Sequence, residues 1–455
     1  MKAIYRFSGS MGFKVLLMGL LILIMLIPAA LVRQVIWERS YRADEVEGEI
    51  LESWGGQLNV AGPLLRIPCR GLEEVSYKDD KGRETKELRS YDFDLWVSPM
   101  LLETEGSLAT EQKSRGIYSV PVFSGSLRLS GGFDAAEALA SLKPNEKAFM
   151  EQAELVLAIA NQKGIRSLDP ALWDGTPLDF KPGDSGLSLL SGGVHAAVAH
   201  KPGVPSSFSL ELTMQGGGSV WLLPLGEQSR TRLTADWPAP SYQGNYLPAS
   251  HTLDESGFDA RWDISYLSHG IPLFWTGDHT GRLSQSFFGV NFLKVLDHYA
   301  LNERAAKYAI LFIVVPFLAL FMLELFGKRR VHPVQYLLAG IANMVFYLLL
   351  LSLSEHIAFN AAYALSALAV SIMVFLYAWS LFKELAKAWY MAPVMGLSYL
   401  YLFITLQSED WALLIGSIGM FAVLALVMFV TRNVDWYGKG RRAEAAEPKI
   451  PKSMY

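Results

Sequence analysis

Cysteine occurs once in 455 residues, at Cys69. A lone thiol excludes an internal disulfide framework, and it excludes multi-thiolate zinc and iron–sulfur sites within one chain. Charge is scarce too. Asp, Glu, Lys and Arg make up 18% of the residues, against about 25% in ordinary soluble domains. The net charge of −4 gives no reason to expect a nucleic-acid partner. Enzyme signatures are also missing: there is no G-x-S-x-G elbow, H-E-x-x-H pair, Walker A loop or G-x-G-x-x-G fingerprint. His195, His200, His251, His269, His279 and His298 show no metal-ligand spacing with a carboxylate. No metal or cofactor is expected, and no catalytic residue stands out.

What the chain has instead is apolar surplus, 51% of its residues, gathered at the two ends. Val15 to Val32 carries no charge and comes close to the ~20 residues that cross ~30 Å of hydrocarbon. Lys2, Arg6 and Lys14 precede it, which places residues 1–14 in the cytoplasm. A cleaved signal peptide is the competing reading. The run exceeds the ~7–15 residues of a signal core and lacks a clean cleavage motif, so a retained anchor at 15–32 is favoured. Five more spans are read at 306–326, 333–353, 357–380, 389–407 and 411–431. Lys328, Arg329 and Arg330 fill the first break between them, and Lys383 and Lys387 lie in the third. The second and fourth breaks have no Lys or Arg, and the tail at 432–455 is basic. This alternation predicts six spans with both termini inside.

Residues 33–304 then lie outside, in a β-rich domain. Phe258, Ala260, Trp262, Ile264 and Tyr266 alternate with polar neighbours, as do Phe208, Leu210, Leu212 and Met214. Period two means strands with one buried and one solvated face, and a sandwich-like stack of them. Asp134 and Glu137 form a capping-box pattern for one short helix. Residues 163–205, rich in Gly, Pro and Ser, read as a long loop or the seam between two β halves. Cys69 sits in a strand-like setting that suits an inert core thiol, with an intermolecular disulfide as the other reading. Trp237, Tyr242 and Tyr246 lie among prolines and a glycine. They form either a ligand platform of aromatic faces or a stiffened corner sealed by rings.

Polar side chains at membrane depth are costly. Asn343, mid-span, is expected to hydrogen-bond another helix. Glu324 is paired by expectation with Arg329, Arg330 or His332, as an interfacial pair that rigidifies a hairpin. Glu355 and His356 in an outer turn, with Asn360 just beyond, either cap two helices or form with Asn343 a functional polar cluster that moves protons or binds a cation.

Long stretches then resemble one family. They are HPVQYLLAGIANMVFYLLLLSLSEHIAFNAAYALSA (332–367), RGIYSVPVFSGSLRLSGGF (115–133), DWPAPSYQGNYLP (236–248), GFDARW (257–262), ERAAKYAILFI (303–313) and TRNVDWY (431–437). In order and over nearly the whole chain, these resemble the CreD family of bacterial inner-membrane proteins. The sequence departs from the family at Asn161-Gln162-Lys163-Gly164-Ile165, where Asp-x-Arg-Gly-Ile is expected. A turn role survives that change; a ligand role for the acid does not. The resemblance implies an inner-membrane location, and a part in envelope integrity and stress tolerance linked to a carbon-source-responsive two-component system. It implies no reaction. Three roles follow, in order. The first is binding or scaffolding of an envelope glycan, lipid or protein through the periplasmic domain. The second is a small transporter or flippase-like bundle gated by that domain. The third is an enzyme acting on glycans or lipids.

Overall fold

Helix α1 (Met11–Trp54) starts before the first apolar run and continues past Val32 to Trp54. The computed structural model describes residues 11–78, 84–292, 297–326, 331–408 and 411–432. The chain divides into two units. One joins the residues up to Arg42 with those from Asp297 on, and the other is Ala43–Leu296. Lys328, Arg329, Arg330, Glu409, Asp410 and the basic tail beyond Arg432 lie outside the described residues.

The Ala43–Leu296 unit is built of strands. In chain order they are β1 (Leu58–Lys78), β2 (Glu84–Val97), β3 (Leu101–Arg115), β4 (Tyr118–Phe133), β5 (Glu146–Ala148), β6 (Glu154–Ile159), β7 (Ile165–Trp173), β8 (Thr176–Pro177), β9 (Lys181–Leu187), β10 (Leu190–Ala197), β11 (Ser206–Gly217), β12 (Ser219–Leu222), β13 (Gln228–Ala235), β14 (Pro240–Gly244), β15 (Ser250–Asp254), β16 (Gly257–Ser265), β17 (Phe274–Thr276) and β18 (Phe288–Phe292). Three short helices join them: α2 (Ala136–Ala140), α3 (Tyr266–His269) and α4 (Thr280–Gln285). Ten strands form one sheet along β14-β18-β12-β1-β6-β10-β9, with β2, β5 and β17 attached to it. Eight form the other, in the order β15-β16-β13-β3-β4-β11-β7-β8.

The period-two pattern explains why the sheets stack. Phe258, Ala260, Trp262 and Ile264 of β16 are buried, and the residues between them face outward. Leu64, Leu65 and Leu155 of one sheet share a core cluster with Phe123, Leu127, Leu210, Leu212 and Leu233 of the other. Burying that apolar surface at ~25 cal/mol per Å² is what holds two sheets together. Residues 163–205 are not one long loop: β7 and β8 join the eight-stranded sheet, while β9 and β10 join the ten-stranded one. Asp134 accepts the Ala136 N–H at 2.9 Å and starts α2. Cys69 is buried in β1, and burial, with the charges of Asp94 and Glu146, pushes its thiol up to about 11. Such a thiol stays protonated and unreactive.

The other unit is helical. It contains α5 (His298–Lys307), α6 (Ala309–Phe326), α7 (Pro333–Ser354), α8 (Phe359–Phe382), α9 (Leu385–Trp389), α10 (Met391–Gln407) and α11 (Ala412–Thr431). Among the described residues, four helices are long and apolar enough to cross a membrane, and five if the pair α5–α6, bent by 49°, counts as one span. Helix α10 is a shorter apolar helix. None of the α11 window is buried within the protein, and Leu413, Phe421 and Phe429 are exposed on it. A helix surface so apolar is suited to contact with lipid or with another apolar surface.

Candidate functional site

Register builds the main candidate. On the outer face of the eight-stranded sheet, Ser167 pairs with Thr213, Thr213 with Ser126 and Ser126 with Ser107. Ser107 pairs with Thr234, Thr234 with Asp259 and Asp259 with Thr252. At ~4.8 Å between neighbours, this row crosses seven strands and runs ~29 Å. Its residues face outward because Leu108, Leu127, Leu212 and Leu233, next to them in sequence, are buried in the core. A second row follows, in which Gln215 pairs with Ser124 and Ser124 with Ala109.

The small side chains of these rows leave an open groove of about 860 Å³. Arg166 marks one end and is the one cationic side chain in its lining among the described residues. Asp236, Asp254 and Asp259 mark the other end. Hydrogen bonds from the Ser256 hydroxyl and N–H hold Asp254 below the usual carboxylate range. Arg232 does the same for Asp259, with a 2.7 Å contact. On the far side of the hydroxyl row the charges are paired, with Arg128–Glu211 at 3.1 Å and Arg230–Glu103 at 3.5 Å. One flank of the face is thus neutralised by ion pairs, and the groove presents hydroxyls.

The departure at Asn161 lies close by. Asn161 accepts the Lys163 N–H at 3.2 Å, as a turn residue should. Gly164 follows because the backbone passes close to Gln215: a β-carbon there would sit 2.5 Å from the Gln215 carbonyl oxygen.

The aromatic stretch does not form a platform. Trp237 is buried, edge-on to Phe292 at 6.5 Å. Tyr242 packs edge-on against Phe258 and Trp262 at 6.1 and 6.0 Å, and burial raises its phenol. Tyr246 meets Phe288 at 6.4 Å, and its carbonyl accepts the Trp262 indole N–H at 3.0 Å. The reason is pairing: β14 lies along β18, so these rings turn into the core and the prolines lie at the corner.

The membrane residues separate as well. Asn343 is buried and donates to the Phe312 carbonyl at 2.7 Å while accepting the Tyr399 hydroxyl at 3.0 Å. Phe312 lies four residues before Pro316 in α6. Proline has no N–H, so the Phe312 carbonyl loses its helical donor, and Asn343 supplies one. Glu355, twelve residues further along and so ~18 Å up the helix axis, accepts the Tyr299 hydroxyl at 3.2 Å and lies 4.0 Å from Arg39. The His356 ring is exposed. Asn360 accepts from Gln407 at 3.1 Å. The four residues do not converge on one site.

Glu324 and His332 do not pair with each other either. Glu324 takes the Lys14 ammonium and the Tyr336 hydroxyl, the latter at 2.9 Å. His332 caps α7: its ring accepts the Val334 N–H at 3.3 Å and Gln335 accepts the His332 N–H at 2.8 Å. Proline at N1 leaves that geometry free. Arg39, Tyr299, Tyr336 and Tyr399 were not singled out from sequence, and Lys14 is legible there only as a charge flanking the first apolar run. A lysine and an arginine bracketing the first apolar run, and tyrosines inside spans, were the available signal. Among the described residues, no group of three or more His, Cys, Asp or Glu is placed to hold a metal ion.

Lipid-facing apolar helices joined to a two-sheet domain define a multi-pass membrane protein with a large β-rich region. The chain matches the family model "Inner membrane protein CreD" over residues 10–437. It is 35% identical over 423 residues to the inner membrane protein CreD of Escherichia coli (strain K12), covering 91% of each chain. It belongs to the CreD family. Likenesses among solved structures are faint. An M1 zinc metallopeptidase from Deinococcus radiodurans gives a TM-score of 0.22 at 10% identity, over 71% of this chain and 93% of that one. Leukotriene A4 hydrolase from Saccharomyces cerevisiae gives 0.21 at 13%, over 43% and 29%. Scores this low carry no argument.

Proposed function

We propose that this protein sits in the bacterial inner membrane with six spans, both termini in the cytoplasm and its β domain in the periplasm. There it supports envelope integrity by binding an envelope component through the groove of the eight-stranded sheet. The observation that carries the reading is that groove, a long hydroxyl-lined trough on a large domain. The span count is supported by α1. Lys14 and Arg39 lie ~37 Å apart along its axis, which brackets ~30 Å of hydrocarbon, and each meets an acid of the bundle, Glu324 and Glu355. The alternation of basic breaks supports the orientation.

The test is complementation of an envelope-sensitive deletion strain, with membrane abundance matched. Ser107→Trp fills the groove and is expected to abolish protection. Glu355→Ala with His356→Ala is expected to retain it. Rescue by the first and failure of the second would move the function into the membrane. Alkaline phosphatase fused after residue 254 is expected to be active, and after residue 383 inactive; the reverse pattern refutes the orientation.

A further inference from the structure

The groove's chemistry narrows its ligand. The row Ser167–Thr213–Ser126–Ser107–Thr234 carries hydroxyls on five adjacent strands, the last four of them lining the groove. A free hydroxyl is one donor and two acceptors, and Thr234, which donates to the Gly106 carbonyl, offers acceptors. Of these strands, β11, β4, β3 and β13 are internal to the sheet. Their backbone groups are paired on both sides, so an extended peptide gains no β-ladder on them. Of the five, only β7, covered by β8 at Leu172 and Trp173, keeps an open edge. A nucleic acid would find one arginine. A lipid tail would find hydroxyls.

Gln215 adds an independent sign. It lines the groove and is 7% exposed. Its Oε1 accepts from Arg166, from Nε at 2.8 Å and also from Nη2. Because a guanidinium only donates, the amide is oriented: oxygen toward Arg166, nitrogen away from it. That NH₂ has no protein acceptor among the described residues and stays within reach of solvent in the groove. A donor open to the groove can be taken by an acceptor on a ligand. Arg166, beside it, offers its remaining N–H groups at the same end. The Asp236 and Asp254 carboxylates at the opposite end are acceptors of the kind that sugar hydroxyls satisfy.

We infer that this groove binds an extended polyhydroxylated chain with a carboxylate near the Arg166–Gln215 end, that is, an acidic glycan strand lying across the strands from β7 to β15. The inference rests on the reading that the β domain is the binding part, and it names the class of ligand. Two envelope sources share this chemistry, cell-wall glycan and outer-envelope polysaccharide.

Full-length protein in nanodiscs is titrated by calorimetry with three probes: peptide-free cell-wall glycan strands, delipidated lipopolysaccharide chains and neutral malto-oligosaccharides. One acidic glycan is expected to bind at least about tenfold more tightly than the neutral chain, and which one binds identifies the source. Thr213→Val with Thr234→Val keeps the side-chain shape, removes two hydroxyls of the row and is expected to weaken binding about tenfold. Arg166→Gln is expected to erase the preference for the acidic chain. Failure of every glycan to bind at millimolar concentration overturns the inference, as does equal binding by the double valine variant. If no glycan binds while Ser107→Trp still abolishes envelope protection, the glycan assignment falls and the groove remains the functional site. If glycans bind and Ser107→Trp protects normally, the binding is real and the functional reading falls.

Discussion

The helical unit and the β domain use polar side chains in opposite ways. In the helices they are occupied in holding the protein together. Asn343 supplies the donor that Pro316 removed from the Phe312 carbonyl, Glu324 holds Lys14 and Tyr336, and Tyr363 donates to the Tyr399 carbonyl at 2.6 Å. Where water is absent an unsatisfied polar group is expensive, so most are tied to a structural partner; the buried Tyr347 hydroxyl is an exception among the described residues. On the outer face of the eight-stranded sheet, Ser107 and Thr213 meet solvent, where an unpaired hydroxyl costs little, while the half-buried Thr234 hydroxyl donates to the Gly106 carbonyl at 3.1 Å. The contrast teaches where to look for function in such a chain. A rare polar residue in a span is more often a fastening, and a common one aligned across a sheet is free to recognise.

Deleting polar groups in each region tests that contrast. The largest effect is expected from Asn343→Leu, which orphans the Phe312 carbonyl and the Tyr399 hydroxyl. A loss of ~2–3 kcal/mol should appear as a lower unfolding temperature of the full chain in nanodiscs. An unchanged transition would break the comparison. Glu324→Gln keeps the hydrogen bond from Tyr336 and removes the charge facing Lys14, which is 28% exposed. A loss of ~1 kcal/mol is expected in the same measurement.

A third effect is a matter of pH. Burial holds His200 and His269 of the β domain below their ordinary value of 6.5. The unfolded chain takes up protons as pH falls through about 6.5, and the folded domain resists. Stability present at neutral pH is therefore lost on acidification. Tryptophan-fluorescence melting is expected to shift downward from pH 7.5 to pH 5, and His200→Gln to flatten part of that shift. The smallest effect is expected from Ser107→Ala with Thr213→Val, within about 0.5 kcal/mol of the parent. A large loss there would mean the hydroxyl row is structural.

Much of this was legible in the residues. Val15–Val32 and the apolar stretch from Tyr308 to Thr431 state their environment by composition, because hydrocarbon tolerates so few alternatives. Alternation in Phe258–Ile264 marked a strand, and it is one. Asn161 suits a turn by residue type, and its side chain accepts the Lys163 N–H there. At Trp237–Tyr246 the sequence leaves a platform and a ring-sealed corner both open. Composition shows that rings are present, but β14 pairing with β18 decides which way they face. The segment 163–205 is open in the same way, between a loop and a seam. Several of its prolines and glycines, among them Pro170, Pro182, Gly183 and Gly193, lie in strands of both sheets.

The sequence by itself determined which segments are apolar enough for lipid, which alternate as strands, and the family to which the chain belongs. Those properties are local sums or periodicities along the chain. Tertiary structure alone decided that Asn343 meets the carbonyl freed by Pro316, and that five hydroxyls from five strands align in one row above a groove. Both depend on register between segments far apart in the chain. A one-residue slip of a strand would turn its side chains to the opposite face, and no single segment records the register of its neighbour.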